Sequence, residues 1–369
     1  MGHHLALVTT SYPTTHDGSE AAGSFVADFA QTLAQQIPVT VVAPSVQPMA
    51  TEHHQHLTVE RFLVPQLPLV SLSSPRAIAK TLKAGLTALE QVVQQQSIDH
   101  ILALWVLPAG YWARRISQRY HIPYSTWALG SDIWRLGKIP GVKQVLIQVL
   151  KKSHCNFADG YLLQQAVEAL SGRRGDFLPS TRRLTTSKAL ADKPPYRLAF
   201  LGRWHHNKGI DLLLESLSLL IHWQNIGAVR IAGGGPLEKT VNAAYSKLKA
   251  QNRPVQLLGY LDKSAALNLL QWADYVCIPS RIESIPVIFS DAMKCQCPLI
   301  ATPVGDLPRL MQQYRVGTLA TEVSSFAFAQ AIQRALTQAP VTFAPGLSQA
   351  ADAFNLEHIA QHLLTILYE

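Results

Sequence analysis

The chain has 369 residues, about two ordinary domains' worth, and 48% of them are hydrophobic, enough for substantial buried cores. A formal net charge of +8 and a pI near 9.3 point to an anionic partner, either nucleic acid, a phospholipid surface or a nucleotide-linked small molecule. No helix-turn-helix or zinc pattern supports nucleic acid, and the other two fit the charge at least as well.

In chain order, Leu5 to Thr9 reads as a buried strand, followed by a loop over Ser11 to Ser24. Phe25 to Gln35 has helical spacing, Pro38 ends it, and Val39 to Ala43 is the next strand, so the chain opens as a doubly wound domain. Gly23-Ser24 at the helix start can bring bare backbone close to a phosphate, although the G-x-G-x-x-G spacing of a dinucleotide fingerprint is missing. His53, His54 and His56 cluster in a polar stretch, and adjacent histidines suit solvent or capping better than one metal ion. The longest apolar run, Ile101 to Trp112, is interrupted by Pro108 and falls short of the ~20 residues of a spanning helix. With no charged-then-apolar leader in view, a cytoplasmic protein is expected, peripheral to a membrane at most.

Ile101 to Val106 and Pro123 to Ala128 read as strands, with a helix from Tyr111 to Tyr120 between them. The second strand runs into Leu129-Gly130-Ser131-Asp132, where Ser131 or Asp132 can cap a helix. Val142 to Lys152 is amphipathic and basic, which fits either a surface helix or a face lying on anionic lipid. Leu178 to Pro195, polar and proline-rich, reads as a linker between a domain over 1–185 and a second over 195–350. Four cysteines, Cys155, Cys277, Cys295 and Cys297, make no C-x-x-C pair and are expected as core or free thiols.

The second domain begins with the strand Arg197 to Leu201, and Gly202-Arg203-Trp204-His205-His206-Asn207-Lys208-Gly209 leads into a helix from Ile210 to Leu220. A glycine, two cations and a helix N-terminus at a strand's end suit a diphosphate. A strand follows over Val229 to Ala232, Leu257-Leu258-Gly259-Tyr260-Leu261 forms a loop after Val255, and then Tyr275 to Ile278 reads as a buried strand ended by Pro279-Ser280. Glu283 sits in the loop beyond, at a strand's carboxyl end, where open α/β sheets bind ligands. A helix starts near Pro286, the backbone N–H groups of Ser284, Ile285, Pro286's neighbours and Val287 favour an anion, and Asp291 lies roughly 12 Å further along the axis. Two carboxylates so placed can touch two parts of one elongated ligand.

PSRIESIPVIFSDAMKCQCPLIATPVGDLP resembles the Glu-x7-Glu region of the family 4 retaining glycosyltransferases, matching at Pro279, Ser280, Glu283, Pro286, Ala292, Met293, Pro298, Ala301, Thr302 and Gly305. It departs at Asp291, Gln296 and Asp306, where that family has Glu, Gly and Gly. The G-R-x-x-x-x-K-G pattern of Gly202 to Gly209 is similar to the same family. The resemblance implies the GT-B fold, with two Rossmann-like domains facing across a cleft that closes about the linker. It also implies a C-terminal helix, about 354–369, that crosses back to the first, acceptor-binding domain.

By the same resemblance Arg203 and Lys208 clamp the donor's pyrophosphate, with Gly202 beside them. Glu283 with Ser284, Ile285, Pro286 and Val287 orients the sugar and β-phosphate, and Asp291 holds the ribose. The main chain of Leu261 meets the base, and Gly23 is the nearest match to the family's phosphate-approaching glycine. The family's His-Gly-x-Asp turn appears with Leu129 in place of histidine, leaving Asp132 either to bond a sugar hydroxyl or to hold the turn. The activity implied is transfer of a sugar from a UDP- or GDP-sugar to the hydroxyl of a saccharide or lipid-linked acceptor, in polysaccharide or glycolipid synthesis. No cofactor or metal is expected, because the two cations supply the charge and no Asp-x-Asp occurs. The rival expectations are a degenerate relative that senses nucleotide-sugars or serves as a partner subunit, and a sugar-nucleotide epimerase.

Overall fold

Leu5, Ala6, Leu7 and Val8 are each fully enclosed, as a strand covered on both faces requires. The structure, a computed structural model, describes residues 3–14, 20–67, 74–184 and 188–369. It divides into two units, residues 1–183 with 355–369, and residues 184–354.

The first unit runs β1 (Leu5–Val8), α1 (Glu20–Leu33), β2 (Val39–Ser45), β3 (Glu52–His54), β4 (Leu57–Leu63), α2 (Pro75–Gln95), β5 (His100–Leu104), α3 (Ala109–Tyr120), β6 (Tyr124–Ala128), α4 (Ser131–Trp134), α5 (Val142–Lys152), β7 (Asn156–Ala158), α6 (Tyr161–Ser171) and β8 (Asp176–Phe177). Its sheet has the order β3-β4-β2-β1-β5-β6-β7-β8, parallel except for β3. α2 buries Thr81, Gly85, Leu89 and Val92, one stripe at helical spacing. Gly85 is there for contact: a Cβ on it would lie 2.4 Å from the enclosed indole of Trp112 on α3. α5 turns Leu146, Val149 and Leu150 into the core and leaves Lys143, Lys151 and Lys152 in solvent, the pattern of an ordinary surface helix.

The second unit runs β9 (Tyr196–Leu201), α7 (Ile210–Leu219), β10 (Ile226–Ala232), α8 (Glu238–Ala250), β11 (Val255–Gly259), α9 (Lys263–Trp272), β12 (Tyr275–Ile278), α10 (Val287–Lys294), β13 (Leu299–Ala301), α11 (Leu307–Tyr314), β14 (Gly317–Leu319), α12 (Ser325–Ala335) and α13 (Ala344–Ala353). Its sheet, order β11-β10-β9-β12-β13-β14, is parallel throughout. Both units are therefore Rossmann-like. The last helix, α14 (Leu356–Tyr368), belongs to the first. Leu356, Ile359, Ala360, Leu363, Leu364 and Leu367 form one face and join Phe25, Val26, Phe29 and Leu33 of α1 in a single core. At about 1.5–3 kcal/mol for each large side chain, that face holds α14 firmly. Asn355 caps it by accepting from the His358 N–H at 3.0 Å.

Three boundaries differ from those the sequence suggests. α1 starts at Glu20, so Gly23 lies in its first turn and not in a loop, and a Cβ on it would stand 3.0 Å from the backbone of Tyr12 and Pro13. Residues 15–19 of the expected loop lie outside the described residues. The expected linker is also shorter than Leu178 to Pro195. Leu178 is core, and its carbonyl accepts from the Trp127 indole at 2.9 Å. Arg183 is tied to α1 through Asp28 at 2.9 Å and Thr32 at 2.8 Å. Lys188 already belongs to the second unit, its amine donating to the Ala273 carbonyl, and residues 185–187 lie outside the described residues. All four cysteines are free thiols, and burial pushes that of Cys277 up to about 12. Among the described residues no helix is long and apolar enough to cross a membrane.

Asp132 is where the structure chooses between two roles left open. It is 1% exposed and accepts from the N–H groups of Val106 at 2.7 Å, Ile133 at 3.2 Å and Leu129 at 3.3 Å. Both oxygens accept from backbone N–H groups, so it holds the turns after β5 and β6 together. Burial pushes its carboxyl up to about 6, against the smaller opposite pull of those N–H groups. Because that lies above the ordinary 3.8, the folded state binds the proton more tightly between these two values. The stability contributed is thus present below about pH 4 and lost as pH rises through about 6, some 3 kcal/mol at ~1.36 kcal/mol per unit. In denaturant unfolding from pH 4 to 7, wild type should lose about that much relative to Asp132→Asn. A difference between the two that stays constant with pH would contradict an enclosed carboxylate.

Candidate active site

β9 and β12 are neighbours, yet the chain leaves β9 toward β10 on one side and reaches β13 from β12 on the other. Their following loops start side by side and diverge, which opens a crevice at the carboxyl ends of the strands. Gly202 to Gly209 leaves β9 and Pro279 to Pro286 leaves β12, so the two stretches singled out by sequence flank this one reversal.

At Gly209 the two loops touch. Its φ is 67°, and a Cβ there would stand 1.8 Å from the carbonyl oxygen of Pro279. No other residue type fits both demands. Just before it, His206–Lys208 forms a 3₁₀ turn capped by the His205 ring, which accepts from the Asn207 N–H at 3.1 Å. This turn aims Lys208 at the neighbouring loop, where its amine donates to Glu283 Oε1 at 2.6 Å. The Ser280 hydroxyl donates to the same oxygen at 2.8 Å. Glu283 is nearly enclosed at 9% side-chain exposure while Lys208 keeps 38%, so the cation is the partner open to an incoming anion. Arg203 is exposed, and no hydrogen bond or ion pair joins its guanidinium to another described residue.

A second ion pair, which the sequence reading did not single out, holds the loops in register. Arg281 grips Asp211 with two hydrogen bonds, 2.8 and 3.0 Å, and donates to the His206 carbonyl at 2.8 Å. The Arg281 N–H donates to the Asn207 carbonyl, also at 2.8 Å. Burial pushes the Asp211 carboxyl up, but the Arg281 hydrogen bonds and charge outweigh it and leave the group below its usual range. Arg281 and Asp211 lie 70 positions apart, so no local pattern pairs them.

α10 begins beyond Pro286, and the residues ahead of it, Ser284, Ile285 and Pro286, are buried, with Val287 half-buried. The Ser284 hydroxyl is enclosed without a hydrogen-bond partner, and so is the indole N–H of Trp204 in the facing loop. Buried polar atoms are rarely left unpaired; that of Trp204 lies toward Gly233, where a Cβ would stand 3.2 Å from its Nε1. Asp291 is fully enclosed within α10, so this conformation does not present it to a ligand. Leu261 is half-buried just past β11, next to Tyr260, whose ring is 72% exposed and stands over Gly234. Gly23 and Asp132 belong to the first unit and are not part of this crevice. Among the described residues no group of three or more His, Cys, Asp or Glu could hold a metal ion.

Residues 195–338 match the family model described as Glycosyl transferases group 1. A D-inositol 3-phosphate glycosyltransferase of Jonesia denitrificans is 30% identical over 179 residues, 46% of this chain and 42% of the relative. A putative teichuronic acid biosynthesis glycosyltransferase, TuaC of Bacillus subtilis, is 26% identical over 252 residues, 64% of this chain and 61% of its own. The chain thus spans about half the length of the curated relatives it matches. Among solved structures, sucrose-phosphate synthase of Thermosynechococcus elongatus superposes with a TM-score of 0.76 at 18% identity, covering 99% of this chain and 98% of that one. HepE of Anabaena in complex with UDP-glucose gives a TM-score of 0.72 at 18% identity, covering 99% of both chains. The fold is GT-B, and the segment that carries the crevice, residues 195–338, is similar to the group 1 glycosyl transferases.

Proposed function

We propose that the protein transfers a sugar from a nucleotide diphosphate sugar to a hydroxyl acceptor, with retention, as a family 4 member. The observation that carries this reading is the Lys208–Glu283 contact at the β9/β12 reversal, beside the unpaired guanidinium of Arg203. As the bond between the sugar's anomeric carbon and the β-phosphate oxygen breaks, negative charge grows on the diphosphate. Arg203 and Lys208 neutralise it, beside the backbone of Gly202, and need no metal to do so. Glu283, relieved of Lys208, accepts sugar hydroxyls, and the N–H groups of Ser284, Ile285 and Val287 at the start of α10 meet the β-phosphate. The backbone of Leu261 contacts the base. Asp291 takes the ribose hydroxyls once the turn ahead of it opens. The relatives' names, an inositol 3-phosphate and a teichuronic acid transferase among them, support an acceptor rich in hydroxyls, such as a saccharide. The structures of HepE with UDP-glucose support a uridine donor.

One observation favours a sensor instead. Leu129 stands where the family's histidine would be and packs half-buried against the core, leaving no proton-handling group there. Release of free UDP from a panel of UDP-sugars separates the two, since a sensor binds the donor without cleaving it.

Two variants test the site. Lys208→Ala should lower turnover by a factor of about 100 or more with an unchanged far-UV circular dichroism spectrum, since one lost transition-state donor costs about 2.7–4 kcal/mol. Turnover near wild type in that variant would remove Lys208 from the chemistry. Arg281→Ala should cut turnover about tenfold, about 1.4 kcal/mol, through loss of loop register. In a Lys208→Ala background the same change should cost almost nothing, because the register it protects has no amine left to place. Equal penalties in both backgrounds would make Arg281 a stability residue only.

A further inference from the structure

The amino end of the first sheet, opposite the loops that carry chemistry in such folds, encloses a histidine. His100 opens β5 and is 1% exposed. Side chains alternate along a strand, so its ring shares the face of Leu102 and Leu104, the face that α14 covers. Its Nε2 lies 2.9 Å from the Ser125 hydroxyl, and that oxygen also accepts from the Cys155 N–H at 3.2 Å. Among the described residues the Ser125 hydroxyl hydrogen has this ring as its one acceptor. Nε2 therefore accepts, and the imidazole is neutral. A proton on Nε2 would set donor against donor and leave the hydroxyl without an acceptor.

The groups packed around the ring give a proton no support. The rings of His154, at 5.6 Å between centroids, and of Tyr368, at 6.1 Å, both meet it edge-on, and His3 is stacked on Tyr368 at 3.9 Å. Arg173 donates to the His154 carbonyl at 2.8 Å, so the nearest fixed charge on that side is positive. Cys155, half-buried beside it, lies in the fields of Arg173 and Asp176. The Asp99 carboxylate accepts from the His4 N–H at 2.8 Å and is not bonded to His100. His4 itself points to the other face, with its Nε2 on Thr40 at 3.0 Å, and His362 and Glu369 of the α14 end are exposed. Burial, and secondly the His154 ring, push His100 down to about 3.

Of these neighbours, Tyr368 belongs to the last turn of α14, where carbonyls lack onward partners within the helix. Its hydroxyl is enclosed with no hydrogen-bond partner among the described residues. The apolar face from Leu356 to Leu367 holds the helix, so this final turn is its weakly held part.

We propose that His100 is a proton-operated latch on the last turn of α14: neutral, it lets Tyr368 seat beside it, and protonated, it drives that turn off the sheet. With the turn seated the ring resists a proton down to about 3, whereas exposed to water it takes one near the ordinary 6.5. Seating is therefore most stable above 6.5 and weakens as pH falls toward 3, the open-to-seated ratio rising by up to about tenfold per pH unit. The Asp132 carboxyl acts with the opposite sign, since its contribution is lost as pH rises, so the two are separable. The latch does not depend on the transferase reading.

The full chain labelled with 3-fluorotyrosine tests this by fluorine NMR. The Tyr368 resonance, assigned as the one missing in Tyr368→Phe, should move or lose intensity toward its position in urea-unfolded protein as pH falls from about 7.5 to about 5. In His100→Gln, which takes no proton and still offers Ser125 an acceptor, it should stay where it is. A wild-type resonance unmoved by pH overturns the latch. So does equal movement in His100→Gln, which would put the responsible proton on His3 or His154. Should His100→Gln fail to fold, Ser125→Ala decides. Without the hydroxyl on Nε2 the ring protonates more readily, and the movement should begin at a higher pH than in wild type. An unchanged onset overturns the proposal.

Discussion

When two parallel strands lie side by side and their connections depart in opposite directions, the loops beyond them have to part. This geometrical constraint organises both units. In the second it brings Gly202–Gly209 against Pro279–Pro286, and in the first it sets Thr9 beside Trp105. A crevice created this way comes with two properties. Its walls start from buried strands and are rigid at their roots, while its rim is built from loops whose backbone groups are not used up in the sheet.

Keeping such loops in register is an energetic problem, because each carries polar groups that water would otherwise satisfy. The two units solve it with the same kind of part. In the second, Arg281 spans from one loop to the first turn of α7 and to the carbonyl of His206, and Gly209 removes the one side chain that would hold the loops apart. In the first, Asp132 collects N–H groups from the ends of two strands. The two clamps differ in cost. Asp211 remains ionised because a guanidinium faces it, whereas Asp132 has only N–H dipoles for company and its proton affinity rises. The Asp211–Arg281 pair is therefore lost only below the usual carboxylate range, while the Asp132 clamp responds to pH above it.

Much of this was legible in the sequence, for identifiable reasons. Buried parallel strands are nearly continuous apolar runs, so Tyr275–Ile278 and Leu5–Val8 stood out without any partner in view. Lys208 and Glu283 were legible because glycine, proline and helix starts fix their local geometry. The Arg281–Asp211 pair was not, since a contact between residues so far apart follows from sheet order and not from spacing. Asp132 was ambiguous for a different reason. A carboxylate at a strand's end looks the same in sequence whether it faces solvent or backbone, and only its 1% exposure decides. The early end of the linker at Arg183 was hidden too, because Leu178, Ser180 and Thr181 are buried although their neighbours are polar.

The departures from the family pattern carry a further lesson about what glycine supplies. Gln296 occupies a position just past α10 where the family has glycine, and it adopts a φ of 52°, so the chain keeps the turn and bears the strain with a side chain present. Its amide offsets part of that by donating to the Met293 carbonyl at 3.2 Å. Asp306 stands at another such glycine position with a φ of −89°, where no left-handed turn is required, and it lies just before α11. The first substitution preserves a backbone shape at some cost, and the second reflects a position whose shape never demanded glycine here. The change at Gln296 sits at the carboxyl end of α10, away from the Lys208–Glu283 pair and the Arg281 clamp, whereas the Asp306 N–H donates to the Ser284 carbonyl at 3.2 Å, next to Glu283. A sequence can therefore drift at the helix's carboxyl end while the loop at its amino end, where charge is handled, stays fixed by contacts with a different strand.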